Sequence, residues 1–220
     1  MINIAIDGPS AAGKSTIADI LAEKLGYTHL DTGAMYRAVA YKALKNNIKI
    51  DDEENIVKMI SNTSLQMKSN GNVILDGEDI TNKIRTNEIS MGASNVSKLL
   101  GVRKALVSMQ QKICASGGYI LDGRDIGTVV LKDAPVKLFM TASAEARAKR
   151  RVEQNKEKGI EGDDYETILQ EIQKRDYQDS HRQNSPLMKA DDAILVDTSD
   201  LTIEQTVDEV MSIVKKELGE

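Results

Sequence analysis

Short apolar runs alternate with stretches of helical period along most of this chain. Ile2, Ile4 and Ile6, with Ala5 between them, read as a short buried strand. Ile17, Ile20, Leu21 and Leu25 then recur at helical spacing, and Gly26 is the stop. Tyr27–Leu30 reads as a second strand. A helix follows to about Lys45, with Asp31 or Thr32 as its cap. Asp51–Ile60 reads as a short helix with an acidic start. Later come a strand over Tyr119–Asp122, another over Val136–Thr141 with Ser143 as cap of the next helix, and a last one over Ala193–Asp197. Thr202-Ile-Glu-Gln205 spells a capping box for a final helix. Strands alternating with helices predict an α/β fold: a five-stranded parallel sheet with helices on both faces. In such sheets ligands lie beyond the carboxyl ends of the strands. Asp31, Asp122, Thr141 and Asp197 all fall near such ends.

One region breaks the alternation. Leu65–Lys68 and Val73–Leu75 flank Ser69-Asn70-Gly71-Asn72, a hairpin with Asn-Gly as its turn signal. Asp76-Gly77 adds a turn, and Ile80 belongs to a third short strand. A small antiparallel insertion over about 61–97 is the simplest account. Its last helix, Thr86–Lys98, carries Gly92, which lowers helix propensity. A helix over about Val102–Ala115 ends at Gly117-Gly118. Asn155–Asp164, rich in Lys, Glu and Gly, reads as a mobile loop between two helices.

The densest chemistry lies between the first strand and the first helix. Gly8 to Ser15 spells G-x-x-x-x-G-K-S. Strand, glycine loop and helix in that order are the setting a P-loop requires. Gly8 and Gly13 let the backbone curl so that its N–H groups face phosphate oxygens, and the positive end of the helix adds to that field. Lys14 can reach the β and γ phosphates, and the Ser15 hydroxyl can ligate Mg²⁺. The pattern predicts binding of a nucleoside triphosphate through Gly8, Pro9, Ser10, Ala11, Ala12, Gly13, Lys14, Ser15 and Thr16.

Composition narrows the rest. With 220 residues the chain fits one domain carrying an insertion. A net charge of −5 argues against a general nucleic-acid or anionic-membrane surface. Trp is absent and Phe occurs once, so aromatic stacking platforms for single strands are not expected. A single cysteine, Cys114, excludes an internal disulfide and reads as core filler. The first strand begins at residue 2, which leaves no room for a signal peptide, and no apolar run approaches a membrane span. A soluble, cytoplasmic protein is expected.

Lysines number 20 and arginines nine, so lysine serves as the general surface cation and each arginine is worth locating. Arginine is favoured where planar, bidentate contact to phosphate or carboxylate matters. Arg37 follows a strand end. Asp122-Gly-Arg124-Asp125 spills two carboxylates and a guanidinium from a buried strand into a loop. Arg147, Arg150 and Arg151 share one helical face, as do Arg175, Asp179 and Arg182. Solvated faces and local salt bridges would explain either helix alone. Together with a P-loop they suit phosphoryl transfer between two phosphate-bearing ligands, which depends mostly on positioning and charge stabilisation. A phosphate acceptor needs no strong base, and His29 and His181 read as incidental. Asn82-Lys83 lacks the aspartate that would read guanine, which disfavours a switch GTPase.

These segments, in this order, closely resemble the bacterial-type cytidylate kinase family, P-loop kinases of nucleoside monophosphates. The resemblance runs essentially end to end. It includes Asp7-Gly-Pro-Ser…Gly-Lys-Ser15, Asp31-Thr-Gly-Ala-Met-Tyr-Arg37, the hairpin insertion, Asp122-Gly-Arg-Asp-Ile-Gly-Thr128, Arg147…Arg150-Arg151 and Arg175-Asp…Asp179-Ser-His-Arg182. It implies a P-loop NTPase fold in one domain: a core of about 1–60, 98–145 and 172–220, an acceptor-nucleotide insertion of about 61–97, and a short lid of about 146–171. It implies transfer of the γ-phosphate of ATP to CMP or dCMP, with Mg²⁺ at Ser15, by a monomer without nucleic-acid or membrane partners. Carried over by position, Ser94, Arg103 and Asp125 read cytosine, and Arg175 and Asp179 contact the ribose. Arg37, Arg124 and Arg182 contact the acceptor phosphate, with Thr32, Tyr36 and Asp122 in the same substrate site. Lys14, Arg124, Arg147, Arg151 and Arg182 are the expected catalytic cations, and Arg150 is expected at ATP. The open alternatives are another small P-loop kinase, acting on UMP or a small-molecule acceptor, and a non-catalytic ATP-binding sensor.

Overall fold

The computed structural model describes residues 1–68, 71–157 and 164–219. Its main sheet has five parallel strands: β1 (Ile4–Asp7), β2 (Thr28–Asp31), β6 (Tyr119–Gly123), β7 (Val136–Thr141) and β8 (Ile194–Asp197). Their order across the sheet is β2-β6-β1-β7-β8. Alternation along the strands assigns the two faces. Ile4, Ile6, Ile120, Leu138 and Val196 pack on α1 (Lys14–Leu25) and α8 (Ile203–Leu218). Ala5, Leu30 and Leu121 face the other way, onto α2 (Thr32–Lys45), α3 (Glu53–Ser61) and α5 (Leu100–Ile113). Cys114 lies in that second cluster, buried as core filler.

The caps follow the sequence closely. Asp31, rather than Thr32, caps α2 by accepting from Ala34 N at 2.8 Å. The Ser143 hydroxyl accepts from Ala146 N at the start of α6 (Ala144–Glu157). Thr202 and Gln205 form the reciprocal capping box of α8. Each cap satisfies donors that the first helical turn cannot.

The insertion is a separate three-stranded antiparallel sheet of β3 (Leu65–Met67), β4 (Val73–Leu75) and β5 (Glu78–Asp79). Ser69 and Asn70, half of the expected turn, lie outside the described residues. Val73, Leu75, Ile80, Ile84 and Ile89 pack on Ala34 and Ala38 of α2, so one helix serves both the main core and the insertion. Gly92 in α4 (Asn87–Val96) is more than a weak helix former. A Cβ there would stand 3.1 Å from Ala40 Cβ, so glycine lets α4 approach α2 closely. α7 (Tyr165–His181) packs on α6 through Ala148, Ile168 and Ile172. The loop expected over Asn155–Asp164 falls largely outside the described residues; α6 itself continues to Glu157.

Candidate active site

The carboxyl ends of β1, β2 and β6 lie side by side, with Asp7 level with Gly123 and Asp31 level with Asp122. Each strand therefore delivers a carboxylate to the same edge. From that edge the chain turns out of β1 into the glycine loop. Gly8 passes so close to β7 that a Cβ would meet Met140 O at 1.9 Å. Ala11 (φ 59°) and Gly13 (φ 87°) take left-handed conformations, which curl the loop around the start of α1. Lys14 is buried, and its Nζ donates to Pro9 O at 2.7 Å. Burial, then the charge of Arg124, bring its pKa down to about 7, against the pull of Asp122 and Asp7.

Asp122 is the hub of the strand ends. Its Oδ2 accepts from Ser15 Oγ at 2.9 Å, and its Oδ1 meets His29 Nε2 at 2.8 Å. Burial would raise its pKa, but His29 and Lys14 hold it below the ordinary carboxylate range. The Thr32 hydroxyl donates to Asp122 O at 2.7 Å and so braces the strand end. His29 was expected to be incidental; it is instead a linker, with Nδ1 on Asp19 at 2.7 Å. Burial works against its charge, but the hydrogen bonds to Asp122 and Asp19 outweigh it and push the imidazole up to about 10. Asp7 accepts from Ile126 N and Gly127 N, both at 2.7 Å. It thereby anchors the single π turn (Ile126–Val130) that follows the Asp122–Asp125 loop. Burial raises Asp7 to about 6 despite those amides.

Two groups of cations surround this edge. The first comprises Lys14, Arg37, Arg124, Arg151 and Arg175. Arg175 shows how close they lie: its pKa falls to about 10, first through burial and then through Arg124, with Arg37 and Arg151 adding to it. Only Arg37 (to Asp31, 2.7 Å) and Arg124 (to Asp179, 2.8 Å) have an ion-pair partner among the described residues. The second group is balanced. Arg103 is buried and paired with Asp125, while Arg182 lies 3.7 Å from Asp125 and 4.0 Å from Asp179. Arg103 also donates to Ser97 O at 3.1 Å, and Ser97 Oγ donates to Ser94 O, which ties Ser94 to the group. Tyr36 lies 5.7 Å under the Arg103 guanidinium. Arg37 Nε, Arg103 Nε, Arg175 Nε and Arg182 Nη2 are buried without a hydrogen-bond partner among the described residues. Buried donors are nearly always paired, so these four are donors that an anionic ligand could satisfy.

The three arginines of α6 separate in the structure. Arg147 is buried, donates to Ser10 O at 3.0 Å and Ala142 O at 2.9 Å, and pairs with Asp176 at 2.6 Å. Arg150 bonds the Thr198 carbonyl and hydroxyl in the turn after β8. Arg151 alone faces the cation group: loss of solvent in the cleft and then the charge of Arg37 lower its pKa.

Cations and carboxylates from the glycine loop, α2, α5 and α7 thus gather at one edge of the sheet, an arrangement suited to anionic ligands. The family model described as cytidylate kinase matches residues 4–216 of this sequence. The chain belongs to the cytidylate kinase family. The family's relatives include the cytidylate kinase of Caldicellulosiruptor saccharolyticus, 52% identical over 99% of this chain and 97% of that protein. The cytidylate kinase of Bacillus subtilis is 47% identical over 98% of this chain and 97% of its own length. The fold extends further. A shikimate kinase from Bacteroides thetaiotaomicron superposes with a TM-score of 0.52 at 11% identity, covering 97% of this chain and 98% of that one. An uncharacterized protein from Eubacterium ventriosum reaches 0.57 at 14% identity, covering 98% and 99%.

Sequence reasoning missed Asp7, His29 and Gln178, whose Oε1 accepts from Ser94 Oγ at 3.4 Å. Asp7 had a signal, since it ends a buried strand. His29 and Gln178 had none, because their partners are remote in the chain.

Proposed function

We propose that this protein transfers the γ-phosphoryl group of ATP to CMP or dCMP, giving ADP and CDP or dCDP. The observation that carries the reading is the gathering of Lys14, Arg151 and Arg175, none with an ion-pair partner among the described residues, beside Arg37 and Arg124 at the glycine loop. An acceptor phosphate oxygen attacks the γ phosphorus, and the bond to the β–γ bridging oxygen breaks to release ADP. The acceptor is already ionised, so no side chain need remove a proton, and catalysis rests on alignment and charge stabilisation.

The roles divide along the cleft. The loop from Gly8 to Thr16 cradles ATP, and Lys14 leaves Pro9 O to meet the β and γ phosphates. Arg37, Arg124 and Arg182 hold the acceptor phosphate. Arg175 and Asp179 hold the ribose, and Ser94, Arg103 and Asp125 read cytosine with Tyr36 beneath. The base offers an N4 amino donor to a carboxylate or hydroxyl, and its N3 and O2 acceptors suit Arg103. Arg147 supports the loop from behind through Ser10, Arg150 braces the ATP side through Thr198, and Arg151 stabilises charge on the transferring group. The division of the chain into core (about 1–60, 98–145, 172–220), acceptor insertion (about 61–97) and lid (about 146–171) follows the same assignment.

The residues fit Mg²⁺. Among the described residues no cluster of three or more His, Cys, Asp or Glu could hold a metal ion, but Ser15 donates its proton to Asp122 and so keeps its lone pairs free. Mg²⁺ keeps several waters and is held by few protein groups plus substrate phosphates, and in P-loop enzymes the loop Ser or Thr is one of those groups. When bound, it supplies positive charge to the phosphate oxygens and the leaving group.

We further propose a monomeric cytoplasmic enzyme of pyrimidine nucleotide metabolism, without membrane or nucleic-acid partners. The net charge of −5 supports the part of this reading that concerns nucleic acid and anionic membranes. Light scattering on the purified protein checks the oligomeric state. The activity is tested by coupled ADP release from Mg-ATP with CMP, dCMP, UMP or AMP. Strong stimulation by CMP and dCMP alone is expected. Equal stimulation by UMP would remove the base assignment, and no stimulation by any monophosphate would remove the enzyme.

A further inference from the structure

Ser15 and Asp19 stand one turn apart on the same face of α1. Ser15 Oγ bonds Asp122, Asp122 bonds His29, and His29 bonds Asp19, at 2.9, 2.8 and 2.7 Å. The four side chains therefore form a bridge from β6 through β2 back to α1, joined one helical turn from where it began. His29 is only 10% exposed and Asp122 only 7%, whereas Asp19, at 68%, marks the outer end of the bridge.

We propose that His29 is a positioning residue for the phosphate-binding loop, acting through Asp122 on the hydroxyl of Ser15. A carboxylate with two free oxygens can rotate about its last bond. With Oδ1 fixed on the imidazole, Oδ2 is left aimed at Ser15, the residue next to Lys14. The serine then has one direction for its proton, and its lone pairs are held in the remaining directions. Asp19 performs the same service for His29, fixing the ring through its other nitrogen. Partners that orient a metal's ligands in this way commonly matter about 10–100-fold for metal affinity. A role confined to tying β2 to α1 would instead affect the fold and every ligand alike.

This inference rests on the reading of Ser15 as the Mg²⁺ contact, and the test separates the two. The affinity of the full chain for ATP is measured by calorimetry with Mg²⁺ and with EDTA, in wild type, His29→Leu and His29→Gln. In His29→Leu the gain in ATP affinity due to Mg²⁺ should fall about tenfold. ATP affinity in EDTA and CMP affinity should both change less than about twofold, well below that outer-shell effect. His29→Gln, which keeps an N–H donor for Asp122, should recover most of the gain. An undiminished Mg²⁺ gain in His29→Leu would overturn the proposal, as would an equal loss with and without the metal. If wild type itself shows no Mg²⁺ gain, the reading of Ser15 fails and this inference falls with it. Should His29→Leu not fold, Asp19→Ala removes only the exposed end of the bridge. It should still lower the Mg²⁺ gain about two- to fivefold, a fraction of the full outer-shell effect. No change there would count against the proposal.

Discussion

The two cation groups in the cleft differ in how their charge is met. Around the glycine loop, burial first and neighbouring cations second depress the pKa of Lys14, Arg151 and Arg175, which lack ion pairs among the described residues. Around α5, Arg103, Arg182, Asp125 and Asp179 satisfy most of their charge internally. An uncompensated group gains most from a polyanion, because bringing in phosphate relieves repulsion as well as forming contacts. A compensated group offers fixed donors and acceptors with little net field. It can discriminate between bases of equal charge, since a wrong base leaves buried polar groups unpaired. In the proposed assignment, charge attracts at one end of the site and pattern selects at the other.

Lys14→Ala should break the charged end most completely. Turnover should fall by about 10³-fold or more, on the scale of removing a transition-state cation, while CMP affinity by fluorescence titration stays near wild type. Arg182→Ala lies where the groups meet. It should lower kcat/KM for CMP by about 10²-fold, the size of losing a buried charged contact, with little change in ATP affinity. Unchanged CMP kinetics would remove Arg182 from the acceptor site. Asp125→Asn acts on the selective end. It should narrow the gap between CMP and UMP by about tenfold or more in kcat/KM. It should also lower stability by about 3–5 kcal/mol in urea unfolding, because Arg103 stays buried without its partner. If the preference for CMP survives intact, the base is read elsewhere.

The smallest effect concerns stability and pH. The folded pKa of His29, about 10, lies above the ordinary value of 6.5, so the folded protein binds this proton more tightly than the unfolded chain does. Its contribution is full below about pH 6.5 and is lost as pH rises toward 10. The charged groups facing His29 are the carboxylates of Asp19 and Asp122, both favouring the proton. His29→Gln should therefore cost about 1–3 kcal/mol at pH 6, the scale of a buried hydrogen bond to a charge. That deficit should shrink steadily up to pH 10. A deficit independent of pH would mean that His29 is held neutral.

Much of this was legible because the signals are local. The glycine loop, the caps at Asp31, Ser143 and Thr202, and the hairpin insertion each declare themselves within a few residues. The strands showed as apolar runs, and the carboxylates at their ends marked the site edge. Three arginines at helical spacing on α6 were equally visible, yet their spacing could not tell them apart. Arg147 turns back to Ser10 and Asp176, Arg150 to Thr198, and Arg151 to the cleft.

Local pattern and spacing thus determined the element order, the sheet class, the phosphate-binding loop and the set of candidate cations. Hydrophobic period and backbone sterics act over one or two turns, and sequence records them directly. Tertiary structure alone decided which carboxylate meets which cation. His29 and Asp122 are 93 residues apart in the chain, and Arg103 and Asp125 belong to different elements. Sheet register brings His29 to its partner, and the packing of α5 against the loop after β6 brings Arg103 to Asp125. Gly92 makes the same point in the core: weak as a helix former by propensity, it is what lets α4 and α2 touch.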